Sequence, residues 1–63
     1  MTARHQHALS LLRQRDPGDG LNLSQASEVL GMTLERAETL LKYLEGRGLL
    51  RKTSVRPRRW RVA

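Results

Sequence analysis

Three stretches of the chain carry apolar residues at the spacing of an amphipathic helix. They predict helices over residues 2–15, 24–30 and 33–47. The predicted N-caps, whose side chains can accept a hydrogen bond from the first turn, are Thr2, Ser24 and Thr33. The residues predicted to face the core are Ala8, Leu9, Leu11, Leu12, Ala26, Val29, Leu30, Ala37, Leu40, Leu41 and Leu44.

Proline and glycine separate these helices. The segment 16–20 (DPGDG) ends the first helix, because proline disfavours helical geometry in the preceding residue and glycine permits a tight turn. Gly31 separates the second helix from the third, and Gly46 and Gly48 end the third. Each predicted helix is therefore short and well delimited.

Alternating apolar and polar residues predict extended structure elsewhere. Residues 21–23 form one short extended segment, and residues 49–53 and 58–62 form two strands joined by a short loop. Two strands so close in sequence predict a β-hairpin. On its last strand the inner face holds Trp60 and Val62, and the outer face holds Arg59 and Arg61.

Composition argues against enzymatic and metal chemistry. A chain of 63 residues forms one small domain, 1–63, with too little core for a deep substrate pocket. It contains no cysteine, and His5 and His7 point to different sides of a helix, so no metal site is expected. Ser24 and Ser27 have no accompanying histidine and acid that would make a nucleophile. We expect no enzyme activity and no cofactor.

No apolar run approaches the length of a membrane span, and no secretory signal is present. We therefore expect a cytoplasmic protein without membrane contact, associated with the nucleoid if it is bacterial. Such a chain is either a complete small protein or a domain of a larger one.

Positive charge is concentrated at the C-terminal end. Residues 47–63 contain seven Arg and Lys and no acid, whereas residues 1–46 contain five Arg and Lys against six Asp and Glu. The net charge of the whole chain is +6. Because strand-spaced apolar residues are interleaved with these charges, the segment favours a folded polyanion-binding surface over a solubilising tail.

The order of helix, short strand, helix, tight turn, helix and hairpin resembles the winged helix-turn-helix superfamily over residues 3–63. Two strings carry the resemblance: residues 26–33 (ASEVLGMT), in which Ser27 allows close helix approach and Gly31 the turn, and residues 40–50 (LLKYLEGRGLL), which lead from the third helix into the wing. The resemblance implies a mainly α domain of three helices plus a two- or three-stranded wing sheet.

The wing is also similar in spacing to the Z-alpha family, which binds left-handed DNA. That family follows its third helix with a glycine, a proline pair and a tryptophan, and Gly48, Pro57 and Trp60 fall at this spacing. The family's contacting asparagine and tyrosine, and its second wing proline, correspond here to Glu38, Lys42 and Arg58. The resemblance therefore supports the fold and not a specificity for left-handed DNA.

In a winged helix the third helix enters a groove and the wing contacts the backbone. We predict that this chain binds double-stranded DNA, as a transcription regulator or a DNA-processing module. On the third helix Arg36 can donate to a guanine edge and Thr39 can contact phosphate or a thymine methyl group. The full predicted set of DNA-contacting residues is Arg36, Thr39, Lys42, Tyr43, Arg51, Lys52, Arg56, Arg58, Arg59 and Arg61.

Some interpretations remain open from sequence alone. Trp60 either closes the core or touches nucleic acid, and Tyr43 either packs or hydrogen-bonds a phosphate. The third helix contains three acids that would repel phosphates unless they face away or accept from cytosine amino groups; these are Glu35, Glu38 and Glu45. Protein docking, binding to structured RNA and formation of a homodimer are the alternatives.

Overall fold

The computed structural model describes residues 2–63. Its elements, in chain order, are α1 (Ala3–Arg15), β1 (Leu21–Asn22), α2 (Leu23–Leu30), α3 (Leu34–Gly46), β2 (Leu50–Val55) and β3 (Arg58–Val62). The molecule measures 30 × 22 × 20 Å along its principal axes. None of the helices in residues 2–63 is long and apolar enough to cross a membrane.

The three strands form one antiparallel sheet in the order β1-β3-β2. The two-residue strand β1 pairs with β3 so that Leu21 lies opposite Trp60. β2 and β3 form the predicted hairpin, with Leu50 opposite Val62. Three helices and a three-stranded antiparallel sheet in this order give a winged-helix-like arrangement, as the pattern of elements predicted. We refer to the β2–β3 hairpin as the wing.

Helix capping follows the prediction at two of three positions. The side chains of Thr2 and Thr33 accept hydrogen bonds from the first turns of α1 and α3. The prediction of Ser24 as the cap of α2 is wrong, because Asn22 takes that role and forms a reciprocal capping box with Gln25. The glutamine three residues after Asn22 is the sequence signal for this box.

Every element contributes to one hydrophobic core. The eight buried residues of this core are Leu9 and Leu12 of α1, Leu21 of β1, Ala26 of α2, Leu41 and Leu44 of α3, Leu50 of β2 and Trp60 of β3. Leu41 and Leu44 are completely buried, so truncating either to alanine is expected to cost about 2–5 kcal/mol. The apolar faces predicted from helical spacing therefore point inward, although Leu11, Val29, Leu30 and Leu40 are only half-buried.

The strand β2 extends two residues beyond the predicted end at residue 53. Its pairing with β3 is interrupted by a bulge between Lys52 and Ser54, after which Val55 pairs with Arg58. The bulge adds one unpaired residue, Thr53. The alternation of inward-facing and outward-facing side chains therefore shifts by one residue at this point, and the apolar–polar alternation in the sequence is interrupted. The predicted end of the strand coincided with this irregularity.

The α1–β1 loop, residues 16–20, folds over the outer face of the sheet. The Asp16 carboxylate accepts hydrogen bonds from the backbone N–H groups of Gly18 and Gly20, at 2.8 and 2.9 Å. The Thr53 hydroxyl donates to the Asp19 carbonyl at 2.6 Å. The loop is therefore held in a fixed shape against the wing.

Candidate nucleic-acid interface

The exposed face of α3 carries the residues that the sequence predicted for groove contact. Arg36, Thr39, Lys42 and Tyr43 are all exposed, and Tyr43 retains 46% of its surface. The Thr39 hydroxyl donates to the Glu35 carbonyl at 3.1 Å, and the residue remains exposed. These four residues thus lie on the solvent side of the helix, opposite the buried leucines.

An ion-pair network joins α3 to the wing. The Arg58 guanidinium bonds to the Glu38 carboxylate, and the Lys42 ammonium lies 3.9 Å from the same oxygen. Arg58, followed by Lys42, holds the pKa of the Glu38 carboxyl below its ordinary value, because both cations favour the charged form. About a third of the Glu38 and Arg58 side chains remains exposed, so this network is accessible from solvent.

Trp60 packs in the core and does not present its ring to solvent. Only 2% of its surface is exposed, and its indole N–H donates to the Glu45 carboxylate at 3.1 Å. The Arg58 guanidinium lies 5.2 Å from the centre of the Trp60 ring, within the range of a cation–π contact. Of the two interpretations left open for Trp60, the core role is the one that the structure shows.

On the outer face of the wing, Arg59 and Arg61 are not free cations, although residues 47–63 contain no acid. Arg61 lies 3.4 Å from the Asp16 carboxylate and donates to the Gly18 carbonyl at 2.9 Å. Arg59 lies 3.7 Å from the Asp19 carboxylate. Both acids come from the α1–β1 loop, so these arginines are partly neutralised within the molecule.

Other wing cations form no ion pair within residues 2–63. These are Arg51, Lys52 and Arg56, and all three are exposed. Lys52 lies opposite Trp60 in the hairpin register and so shares the face of the wing that carries Arg58 and turns toward α3. The basic surface that remains available therefore begins at the α3–wing junction and continues toward the wing tip.

A second basic flank lies on the other side of α3. The N-terminal part of α1 and the exposed face of α3 form a shallow groove, whose lining includes Arg4, His5, Glu35, Arg36, Thr39 and Tyr43. The ring centres of His5 and Tyr43 are 5.0 Å apart, so the half-buried His5 holds Tyr43 from the α1 side. Tyr43 thus packs on one side while staying accessible on the other.

The sequence predicted a binding surface on α3 and the wing. That prediction did not place Arg4 and Arg36 along one groove, and it did not identify His5 as a packing partner of Tyr43. The only available signal was the spacing of Arg4 from the core residue Ala8, which puts it on the same side of α1 one turn earlier. Which helix faces that side is a tertiary property.

The acids of α3 divide into two groups. Glu38 and Glu45 turn toward the wing, where they bind Arg58 and Trp60. Glu35 is exposed in the first turn, and no ion pair involves it within residues 2–63. Of the three acids of α3, two are therefore held on the wing side, and Glu35 lies on the exposed face.

Within the described residues no group of three His, Asp or Glu side chains is arranged to hold a metal ion. Comparison with protein families, with curated proteins and with solved structures gives no match to this chain.

Proposed function

We propose that this chain binds double-stranded DNA, with the exposed face of α3 toward a groove and the wing along the phosphate backbone. The observation that carries the proposal is the position of α3 between two basic flanks. One flank consists of Arg4 and Arg36, and the other of Lys52, Arg56 and the partly exposed Arg58. A groove of duplex DNA has a phosphate backbone on each side of its base edges.

The internal ion pairs support the same orientation. Because Glu38 and Glu45 bind partners on the wing, these two carboxylates are turned away from the exposed face, where Glu35 remains. The Glu38–Arg58 pair and the Trp60–Glu45 hydrogen bond also hold the wing beside α3 before any ligand arrives. A surface arranged in advance loses less conformational entropy on binding.

Protein docking, the main alternative, has weaker support. The acidic character of α3 favoured it, and two of the three acids bind within the molecule. The open edge strand β2 carries a bulge, Arg51 and Lys52, which are features that protect an edge against pairing with another strand. Regulation of transcription, a role in DNA processing and a location at the nucleoid are narrower proposals that depend on DNA binding.

The test is a fluorescence-anisotropy titration of the chain against a short labelled duplex of mixed sequence, repeated at several salt concentrations. We expect the chain to bind the duplex. The logarithm of the affinity should fall linearly with the logarithm of the salt concentration, with a slope of roughly 0.9 for each phosphate neutralised. Unlabelled duplex DNA should compete better than folded RNA at equal phosphate concentration. Absence of any salt-sensitive complex with the duplex would refute the proposal. Stronger competition by folded RNA would show that the surface binds RNA in preference to DNA.

A further inference from the structure

Glu35 stands apart from the other acids in the described part of the chain. Three acids, Asp16, Asp19 and Glu38, form ion pairs, and Glu45 accepts a hydrogen bond from Trp60. Within residues 2–63 the side chains left without such a partner are those of Glu35 and Glu28, the latter on α2. A free carboxylate therefore lies on the surface assigned to DNA.

Arginines are available near Glu35 and do not pair with it. Arg4 and Arg36 line the same groove as Glu35, yet no nitrogen of either side chain lies within ion-pair distance of its carboxylate. The groove consequently offers an unpaired acceptor and unpaired donors side by side. Glu35 and Arg36 are also consecutive residues in the first turn of α3, the part of such a helix that approaches base edges.

We propose that Glu35 and Arg36 read G·C base pairs beneath the N-terminal turn of α3, an inference that rests on the proposed DNA binding. An ionised carboxylate only accepts hydrogen bonds and a guanidinium only donates them. In the major groove guanine presents two acceptors and cytosine presents an amino donor. Arg36 therefore donates to guanine and Glu35 accepts from the cytosine amino group.

The same chemistry makes Glu35 unfavourable for sequence-independent binding. Phosphate oxygens only accept hydrogen bonds, so a carboxylate gains nothing from them and is repelled by their charge. Glu35 thus weakens binding to every duplex and recovers part of that loss only where it meets an amino group. Its effect is to raise the ratio of specific to non-specific affinity.

Helix stabilisation is the competing explanation, since an acid in the first turn interacts favourably with the helix dipole. That explanation predicts a change in the unfolding temperature and no change in base preference. The test must therefore measure both the base preference and the unfolding temperature of each variant. Glu35→Gln removes the charge and keeps the shape, and Glu28→Gln makes the identical charge change on α2.

The experiment selects bound sequences from a pool of randomised duplexes with the wild-type chain and with both variants, and measures affinity for a mixed-sequence duplex. Wild type should enrich cytosine at the position that Glu35 reads and guanine at the position that Arg36 reads. Glu35→Gln should lose that cytosine preference by about fivefold or more and move toward adenine, because glutamine can both accept from and donate to adenine. Glu28→Gln should leave the preference unchanged.

A second pair of variants distinguishes a loss of base preference from a folding defect. Glu35→Ala should also abolish the cytosine preference, and Arg36→Ala should abolish the guanine preference while thermal denaturation shows each chain folded. The inference is overturned if the wild type binds with no preferred base, or if Glu35→Gln and Glu35→Ala select the wild-type sequence. Failure of DNA binding itself would appear separately, as a wild-type chain without a salt-sensitive complex on the mixed-sequence duplex.

Discussion

The indole N–H of Trp60 donates to the Glu45 carboxylate across 3.1 Å, joining the last strand of the wing to the final turns of α3. The ring of Trp60 is almost completely buried, and Leu21 lies opposite it on the neighbouring strand. One side chain therefore takes part in the sheet, the core and the α3–wing junction. The orientation of the wing relative to α3 depends on this residue.

Trp60→Phe tests that dependence. Phenylalanine keeps an aromatic ring in the core but removes the indole N–H and some volume, so we expect the free energy of unfolding to fall by about 1–3 kcal/mol. Urea denaturation measures the change. Val55→Ala is the control, because Val55 is 70% exposed and should change stability by less than about 0.5 kcal/mol. Equal stability of Trp60→Phe and wild type would contradict the assigned role.

Gly20→Ala should destabilise the chain more than Gly18→Ala. Both glycines have a positive φ, +93° and +124°, so alanine is strained at either position. A Cβ at Gly20 would also lie 2.7 Å from the Thr53 hydroxyl oxygen and 2.8 Å from the Trp60 carbonyl oxygen, whereas a Cβ at Gly18 meets no atom within 4 Å.

We expect the steric clash to cost Gly20→Ala roughly 1–3 kcal/mol beyond the loss in Gly18→Ala. Thermal denaturation of the two variants beside wild type gives the comparison. Similar melting temperatures for both variants would mean that the loop does not press against the wing as the structure shows.

Stability should depend on the ionisation of Glu38. Its pKa lies below the ordinary value of 4.5 in the folded chain, so unfolding at acidic pH is accompanied by proton uptake at this carboxyl. The stabilisation by Arg58 and Lys42 is complete above pH 4.5 and is lost as the pH falls through the lowered folded-state pKa. Glu38→Gln should therefore be less stable than wild type at neutral pH.

That difference should shrink as the solution is acidified below pH 4.5. Urea titrations of wild type and Glu38→Gln across this range measure it. A difference that stays constant with pH would show that the charge of Glu38 does not stabilise the junction.

The two faces of the wing should respond differently to loss of charge. Lys52→Ala with Arg56→Ala removes two exposed cations without carboxylate partners, so we expect weaker DNA binding on all sequences. The salt slope should also become smaller, by roughly 1 for each phosphate that the variant no longer neutralises. Arg59→Ala with Arg61→Ala removes cations that bind Asp19 and Asp16.

The second double variant should lose stability and change the salt slope little. The two variants have the same net charge. Any difference between them in DNA binding therefore comes from the position of the removed cations and not from the total charge. Anisotropy titrations at several salt concentrations and urea denaturation provide the two measurements. A larger loss of salt dependence in the Arg59 and Arg61 variant would place the contact surface on the outer face instead.

Structural features that depend on residues close together in the sequence could be predicted from it. Hydroxyl caps at Thr2 and Thr33 act on N–H groups three residues later, and helical spacing selects the buried side of each helix. Alternation along β3 correctly separated buried Trp60 from exposed Arg61. The cap of α2 was missed because Asn22 was assigned to the extended segment 21–23, although Gln25, three residues later, is the signal for a capping box.

The local order of apolar, polar and turn-forming residues was sufficient for the element order and the fold class, since helix and strand periods and caps act over a few positions. It also concentrated positive charge in the last strands. Contacts between segments that are distant in sequence decided which partner each charged side chain binds. Asp16 binds Arg61, and Glu38 binds Arg58. Coulomb attraction depends on distance in space and not on separation along the chain, so the folded arrangement alone established which arginines remain free.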